Sequence, residues 1–461
     1  MKNLFSVLLV LRFCFRAAIA AVALASTLHA QQAKVQLEER AHPISVTFGA
    51  DSDHVLTGSD GYFQLWDWRQ EKAVGPRFLV NRKYAKDSTK SVLRGSLRFS
   101  RDGRFVASCR DRKDTDANMG DLMLAQVWDL RSGKTAAELP RPASLEECHA
   151  LDFSPDGTTL AMVVKQYAVS NSVVFFDTQT WKQRHRSDLG ADTTLHDQLR
   201  YSPSGDVLVV WATDERAPPG MSRAEYNKAQ GATAFQFFDT RIEAIVLQAS
   251  DGQALARKIL HWVSRRPNAP QITSGFDASG DRVLSAFPFG GVIEQYQEAI
   301  YVNCPTYEPR SIPEGFEAKD LCRKHKAVQV WHWRTGKVET VFEYPAYVRS
   351  TYAVESPEQR LWTTLQMPQF TADGRFLVLM REDVDKAEYN PNSTGYVGTH
   401  TLEIRDAQTY EVLLTREFAR SGNSTNGPFL SPDGRYMALV TRQGRKHGGA
   451  VATYLYEIQS K

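Results

Sequence analysis

Phe153-Ser154-Pro155-Asp156-Gly157 ends one apolar run, and Thr159-Leu160-Ala161-Met162-Val163-Val164 begins the next. Proline presets a turn dihedral, Ser and Asp bond to nearby backbone, and Gly accepts a left-handed conformation, so these five residues spell a tight turn between two strands. The same turn returns as Phe99-Ser100-Arg101-Asp102-Gly103, Tyr201-Ser202-Pro203-Ser204-Gly205 and Phe276-Asp277-Ala278-Ser279-Gly280. It returns again as Phe370-Thr371-Ala372-Asp373-Gly374 and Leu430-Ser431-Pro432-Asp433-Gly434, and a degenerate first copy sits at Phe48-Gly49-Ala50-Asp51. Seven occurrences mark one supersecondary unit repeated along the chain, which decides the fold before any single residue is weighed.

Each unit continues in the same way. After the second apolar run and a variable stretch comes a third run closing on an aromatic-acidic pair, as in Leu124-Ala125-Gln126-Val127-Trp128-Asp129. A brief turn, Arg131-Ser132-Gly133, then leads to a fourth run, Thr135-Ala136-Ala137-Glu138-Leu139. Short apolar runs punctuated by Gly, Pro and Asp are strand and turn signals, and four strands per unit repeated seven times predicts an all-β, seven-bladed β-propeller of four-stranded antiparallel blades. In blade four Phe237-Phe238-Asp239 mimics the third-strand ending, but Ile245-Val246-Leu247-Gln248-Ala249-Ser250-Asp251-Gly252 fits the third strand and its turn better. Residues 213–243 and 287–326 then read as insertions.

The third-strand endings Trp66-Asp67 and Trp128-Asp129 resemble the Trp-Asp dipeptide of WD40 repeats, and Phe176-Asp177, Trp331-His332, Arg405-Asp406 and Tyr456-Glu457 are degenerate versions at the same place. Thr57-Gly58-Ser59-Asp60-Gly61-Tyr62-Phe63-Gln64-Leu65-Trp66-Asp67 is the best match. The chain departs from the family in having no Gly-His pair before a first strand. Its Ser-Pro-Asp-Gly turns also resemble, more weakly, the periplasmic TolB-type propellers. The resemblance implies a propeller over residues 31–461 and leaves the role open, because such repeats host many functions.

The chain ends after the third strand of blade seven, which leaves that sheet one strand short. Lys34-Val35-Gln36-Leu37-Glu38-Glu39 precedes blade one and alternates like a strand. It is expected to pair as the missing outer strand and lock the ring, removing an open edge.

Residues 1–30 have the layout of a secretory signal peptide: Lys2, Arg12 and Arg16, then the apolar stretch 17–28, with cleavage expected after Ala30 or Ala25. An uncleaved anchor over residues 4–28 is the alternative, disfavoured by the two arginines inside it. The expected location is therefore the periplasm or the exterior. The formal charge is +3, and residues 1–30 hold three Lys or Arg and no acid, so the mature chain carries 3 − 3 = 0. A nucleic-acid binder needs a basic excess that a neutral chain lacks. Four of the five cysteines remain after Cys14 is removed, namely Cys109, Cys148, Cys304 and Cys322, an even set that suits disulfides in an oxidising compartment. Cys304 with Cys322 would close a loop of about 19 residues and stabilise by about 3 kcal/mol. Cys109 and Cys148 fall at the ends of neighbouring blades, where either a bond or two buried thiols fits.

Successive turns at 48, 99, 153, 201, 276, 370 and 430 are 51, 54, 48, 75, 94 and 60 residues apart. The excess over a minimal unit of about 40–45 residues falls mainly between second and third strands. Strand direction alternates within a blade, so these long connections (110–121, 165–171, 213–243, 287–326, 382–399 and 443–449) crowd one face of the disk. Loops on a rigid scaffold commonly carry binding. Tyr226, Tyr301, Tyr307, Phe316, Tyr389 and Tyr396 are the expected anchors for a protein or peptide partner, since aromatic residues dominate interface energetics. The expectation is a monomeric, non-enzymatic scaffold without cofactor. A propeller enzyme or small-ligand binder using the central channel is the alternative.

No Gly-x-Ser-x-Gly elbow, His-Glu-x-x-His helix or phosphate loop occurs. Asp114-x-Asp116-x-Asn118 begins like a calcium loop, but Met119 stands where glycine is needed and Ala125 where Glu is needed. His149, His196, His261, His332 and His400 fall in or beside strands of different blades, and none has a metal-ligand spacing with another.

Overall fold

A computed structural model of the chain describes residues 35–38, 43–49, 51–59, 62–79, 97–109, 123–140, 146–166, 170–190, 193–214, 239–264, 273–286, 292–293, 300–301, 324–345, 361–385, 398–419, 424–442 and 451–458. Each tight turn joins two antiparallel strands, and two such hairpins in series form one blade. Strand β1 (Val35–Glu38) comes first, followed by blade one: β2 (Pro43–Phe48), β3 (His54–Ser59), β4 (Tyr62–Asp67) and β5 (Lys72–Leu79). Blade two is β6 (Leu97–Phe99), β7 (Phe105–Cys109), β8 (Met123–Asp129) and β9 (Lys134–Pro140). Blade three is β10 (Glu146–Phe153), β11 (Thr159–Gln166), β12 (Ser170–Asp177) and β13 (Gln183–Asp188). Blade four is β14 (Thr193–Tyr201), β15 (Val207–Asp214), β16 (Asp239–Gln248) and β17 (Ala254–Ser264). Blade five is β18 (Thr273–Phe276), β19 (Arg282–Ala286), β22 (Lys324–His332) and β23 (Val338–Pro345), with a small hairpin, β20 (Val292–Ile293) and β21 (Ile300–Tyr301), in its insertion. Blade six is β24 (Leu361–Phe370), β25 (Phe376–Asp385), β26 (Gly398–Asp406) and β27 (Val412–Ala419). Blade seven is β28 (Ser424–Leu430), β29 (Tyr436–Arg442) and β30 (Val451–Glu457), completed by β1.

The molecule is thus a seven-bladed propeller. The third strand of blade four is β16, as the residues around Ile245 indicate. Its strands reach further than the sequence pattern does: Thr213 and Asp214 belong to β15 and residues 239–243 to β16, which leaves 215–238 between them. In blade five β22 starts at Lys324, leaving 287–323 as the connection.

The core is divided into seven layers, one between each pair of adjacent blades. Second strands are apolar on both faces because both are covered. Leu160, Met162 and Val164 of β11 pack toward blade two, while Ala161 and Val163 pack toward blade four. Burial fades outward: β7 is buried at every residue, whereas the outer strand β13 has no buried residue.

Closure uses both ends of the chain. Val35 pairs with Leu455, Gln36 with Tyr454, Leu37 with Thr453 and Glu38 with Ala452, all antiparallel. Leu37, 1 % exposed, sits with Tyr436, Ala438 and Leu455 of blade seven against Val46, Phe48, Val55 and Trp68 of blade one. On the same seam the Arg69 guanidinium lies 4.8 Å from the Trp68 ring centre and 4.9 Å from that of Tyr436, and donates to the Tyr436 hydroxyl at 3.1 Å. Among the described residues no helix is long and apolar enough to cross a membrane.

Candidate functional site

The two faces of the disk differ in construction. On one face every first-to-second connection has five residues, from 49–53 in blade one to 431–435 in blade seven. Third-to-fourth connections have four or five, from 68–71 to 407–411. Side chains within the turns set their shape. Ser154 Oγ accepts the Thr159 N–H at 2.9 Å and donates to Asp156 Oδ1 at 2.6 Å, and Asp156 Oδ1 accepts the Thr158 N–H at 2.9 Å. Ser100, Thr371 and Ser431 repeat this arrangement. In blade five the roles exchange, with Asp277 accepting both the Arg282 N–H (3.0 Å) and the Ser279 hydroxyl (2.9 Å). Burial alone would raise the Asp277 carboxyl, but hydrogen bonds from Arg282 and Ser279 outweigh it and hold the group below the usual carboxylate range.

A further bond clamps the two turns of each blade together. The donors are the N–H groups of Trp68, Leu130, Thr178, Ala249, Trp333, Ala407 and Ile458. Their acceptors are the carbonyls of Asp53, Arg104, Thr158, Asp206, Asp281, Arg375 and Arg435. Adjacent turns also touch around the ring: a Cβ at Gly374 would lie 2.6 Å from that of Ala278, and one at Gly434 would lie 2.8 Å from Thr371 Cγ2. This face is a collar of interlocked turns whose backbone groups are largely satisfied internally.

The opposite face carries the second-to-third connections, of 2 residues (60–61), 13 (110–122), 3 (167–169), 24 (215–238), 37 (287–323), 12 (386–397) and 8 (443–450). Tyr226, Tyr307, Phe316, Tyr389, Tyr396, Cys304 and Cys322 all fall in these connections and lie outside the described residues. Tyr301 is described in its backbone, at the end of β21, paired with Val292. Cys109 and Cys148 form a disulfide with their Cα atoms 5.3 Å apart. It joins the last residue of β7 to the start of β10 and so pins blades two and three together at their long-connection end. Close by, Arg186 donates to Glu146 at 2.7 Å and to Asp188 at 3.0 Å, adding a charged strap within blade three.

The central channel is lined by the innermost strands, which pack in a closed cycle from β2 through β6, β10, β14, β18, β24 and β28 back to β2. The residue two positions before the first turn residue is partly exposed in every blade: Thr47, Arg98, Asp152, Arg200, Gly275, Gln369 and Phe429. Their partners on the second strands are equivalent in register, Leu56, Ala107, Ala161, Val209, Leu284, Val378 and Ala438. Three consecutive members of this ring are charged. Asp152 Oδ2 accepts the Tyr201 N–H at 3.0 Å, and Oδ1 lies 3.9 Å from Arg98 Nε. Burial raises the Asp152 carboxyl against the pull of Arg200 and Arg98. Burial, with repulsion from Arg200, pushes Arg98 down to about 9, and burial lowers Arg200 against the pull of Asp152. Sequence reading missed this ring; aligning the repeats two residues ahead of each turn would have revealed it.

Residues 34–67 match the family model of the WD domain, G-beta repeat. The first blade is thus built on a WD40-type repeat, within a chain that folds as a seven-bladed propeller. Its fold is similar to the β-propeller domain of Cps50 (Swd1) from Myceliophteria thermophila, with TM-score 0.51 and 14 % identity over 92 % of this chain and 100 % of that one. At that identity the likeness concerns the fold alone. No curated protein matches the chain. WD40 propellers generally serve as protein-interaction scaffolds. Among the described residues no group of three His, Cys, Asp or Glu side chains is placed to hold a metal ion.

Proposed function

We propose that this propeller is an exported scaffold that holds a protein or peptide partner on its long-connection face. The observation that carries this reading is the asymmetry in connection length: four or five residues throughout on the collar face, against 2 to 37 between second and third strands on the other. A collar of internally bonded turns offers a partner few free backbone groups, whereas long connections on a scaffold are where binding commonly resides. Export is supported by the signal-like layout of residues 1–30 and by the Cys109–Cys148 bond, which suits an oxidising compartment. Tyr226, Tyr301, Tyr307, Phe316, Tyr389 and Tyr396 are the proposed anchors.

Capture of partners from the native compartment by the tagged protein, followed by mass spectrometry, tests the reading. A Tyr307→Ala/Phe316→Ala double variant is expected to lose at least tenfold in capture with an unchanged melting temperature. Undiminished capture sinks the assignment of this face. Arg104→Ala on the collar face serves as the control and should leave capture intact.

A further inference from the structure

We propose that the charged strap across blade three, built from Glu146, Ser172, Arg186 and Asp188, is a binding site for one alkylammonium group. The strap lies on the sheet face turned toward blade two, at the end of the apolar layer that holds Cys109, Cys148 and Val164. Cys148 pairs in register with Val164, Val164 with Ser172 and Ser172 with Asp188, which forms one row across the four strands. Arg186, on the outer strand β13, reaches across to Glu146 on the innermost strand β10, bonding Glu146 Oε1 at 2.7 Å and Asp188 Oδ1 at 3.0 Å. The Cys109–Cys148 bond fixes the wall beside Glu146, so the carboxylates are held in place before any ligand arrives.

Two observations point to a cation. The strap sets two carboxylates against a single guanidinium, a formal charge of 1 − 2 = −1. The adjacent charges of Glu147 and Lys165 leave that balance unchanged, because they pair with each other in register and alternate to the opposite face of the sheet. The second observation is Glu146 itself. Its side chain is 4 % exposed, and while Oε1 is bonded to Arg186, Oε2 of the same carboxyl is buried without a hydrogen-bond partner. A buried oxygen left unbonded costs free energy that an incoming donor recovers. Asp188, with 65 % of its side chain exposed, is the way in from solvent. Hydrogen bonds from Ser172 and Arg186 hold its carboxyl below the usual carboxylate range, so it is ionised near neutrality. Both carboxylates touch one guanidinium, which brings them close enough for one compact group to bridge them. An ammonium fits that task, since its three donors are not confined to a plane and can serve Glu146 and Asp188 together.

The ammonium can belong to a free small amine or to a lysine side chain, and the test separates the two. Methylammonium, Nα-acetyl-lysine-amide and its uncharged analogue Nα-acetyl-norleucine-amide are titrated into the protein at low salt and followed by ligand-detected NMR. Saturable binding is expected for the two amines, at least tenfold weaker for the norleucine amide, and weakening as salt is added. Glu146→Gln keeps an oxygen for Arg186 but brings the strap to zero charge, and should weaken amine binding at least tenfold while melting stays near wild type. Asp188→Asn should do the same, and its exposure separates binding from folding. Glu147→Gln, on the opposite face, should leave binding unchanged. Equal affinity for methylammonium and the lysine amide assigns the site to free amines; tighter lysine binding assigns it to polypeptide side chains. Absence of saturable binding, equal binding of the lysine and norleucine amides, indifference to Glu146→Gln and Asp188→Asn in folded variants, or an equal loss in Glu147→Gln overturns the proposal. These readouts use small probes alone, so they stand or fall independently of partner capture on the long-connection face.

Discussion

Replacing Gly374 with alanine separates two effects that the repeated turns combine. Gly374 has φ +71°, and its Cβ would come 2.6 Å from the Cβ of Ala278 in the turn of the preceding blade. Gly157 holds the same place in its own turn with φ +72°, but nothing lies within 4 Å of its Cβ. Left-handed backbone costs an alanine about 1–2 kcal/mol at either position. Only at position 374 must a methyl group also be forced into contact about 1 Å closer than carbon atoms ordinarily allow, and overpacking of this kind costs about 1–3 kcal/mol. Gly157→Ala should therefore destabilise by about 1–2 kcal/mol and Gly374→Ala by about 2–5 kcal/mol. Ala278→Gly in the second background should recover most of the excess, since the remaining Ala278 atoms near that Cβ are 3.7 Å away. Urea unfolding followed by tryptophan fluorescence gives the four midpoints of the cycle. Equal losses for the two glycine variants, or no coupling between positions 278 and 374, would refute the interlocked collar.

Leu37→Ala should cost about 2–5 kcal/mol, the range for emptying a fully buried leucine site, and should speed proteolysis near the N-terminus as the ring seam loosens. A loss below about 1 kcal/mol in urea unfolding would contradict closure by β1. The Cys109→Ser/Cys148→Ser variant opens a loop of sequence separation 39, worth about 4 kcal/mol on the chain-entropy model. Reductant should lower the wild-type melting temperature and leave that variant unmoved; an equal shift in both would dismiss the bond. The Lys337 ammonium (2.5 Å), with His332 (3.2 Å) and the Tyr410 hydroxyl (2.8 Å), holds Glu339 down to about 2 from its ordinary 4.5. Because the folded value is the lower one, the stabilisation is complete above pH 4.5 and is lost as pH falls toward 2. Glu339→Gln should cost roughly 0.2–1 kcal/mol at pH 7, as for solvent-screened pairs, and nothing near pH 2. Melting curves for the two proteins that stay parallel across that window would count against the pairing.

The sequence by itself determined the ring. Seven copies of one turn, each between apolar runs, fix four strands per unit, because local hydrogen bonds such as Ser154 to Thr159 are encoded within five residues. Alternation in Val35-Gln36-Leu37-Glu38, set against a last blade one strand short, was enough to foresee the closing pair. What local sequence could not show depends on neighbours remote along the chain. Arg98, Asp152 and Arg200 lie 54 and 48 residues apart and become one charged cluster only when three innermost strands line the same channel. Gly157 and Gly374 read alike in sequence, and the packing of one blade's turn on the next makes them different. The Cys109–Cys148 bond likewise waited on the fold, since spacing permits many pairings and only the meeting of β7 with β10 selects this one. Local chemistry writes the repeat, and the circular arrangement of repeats decides which residues meet.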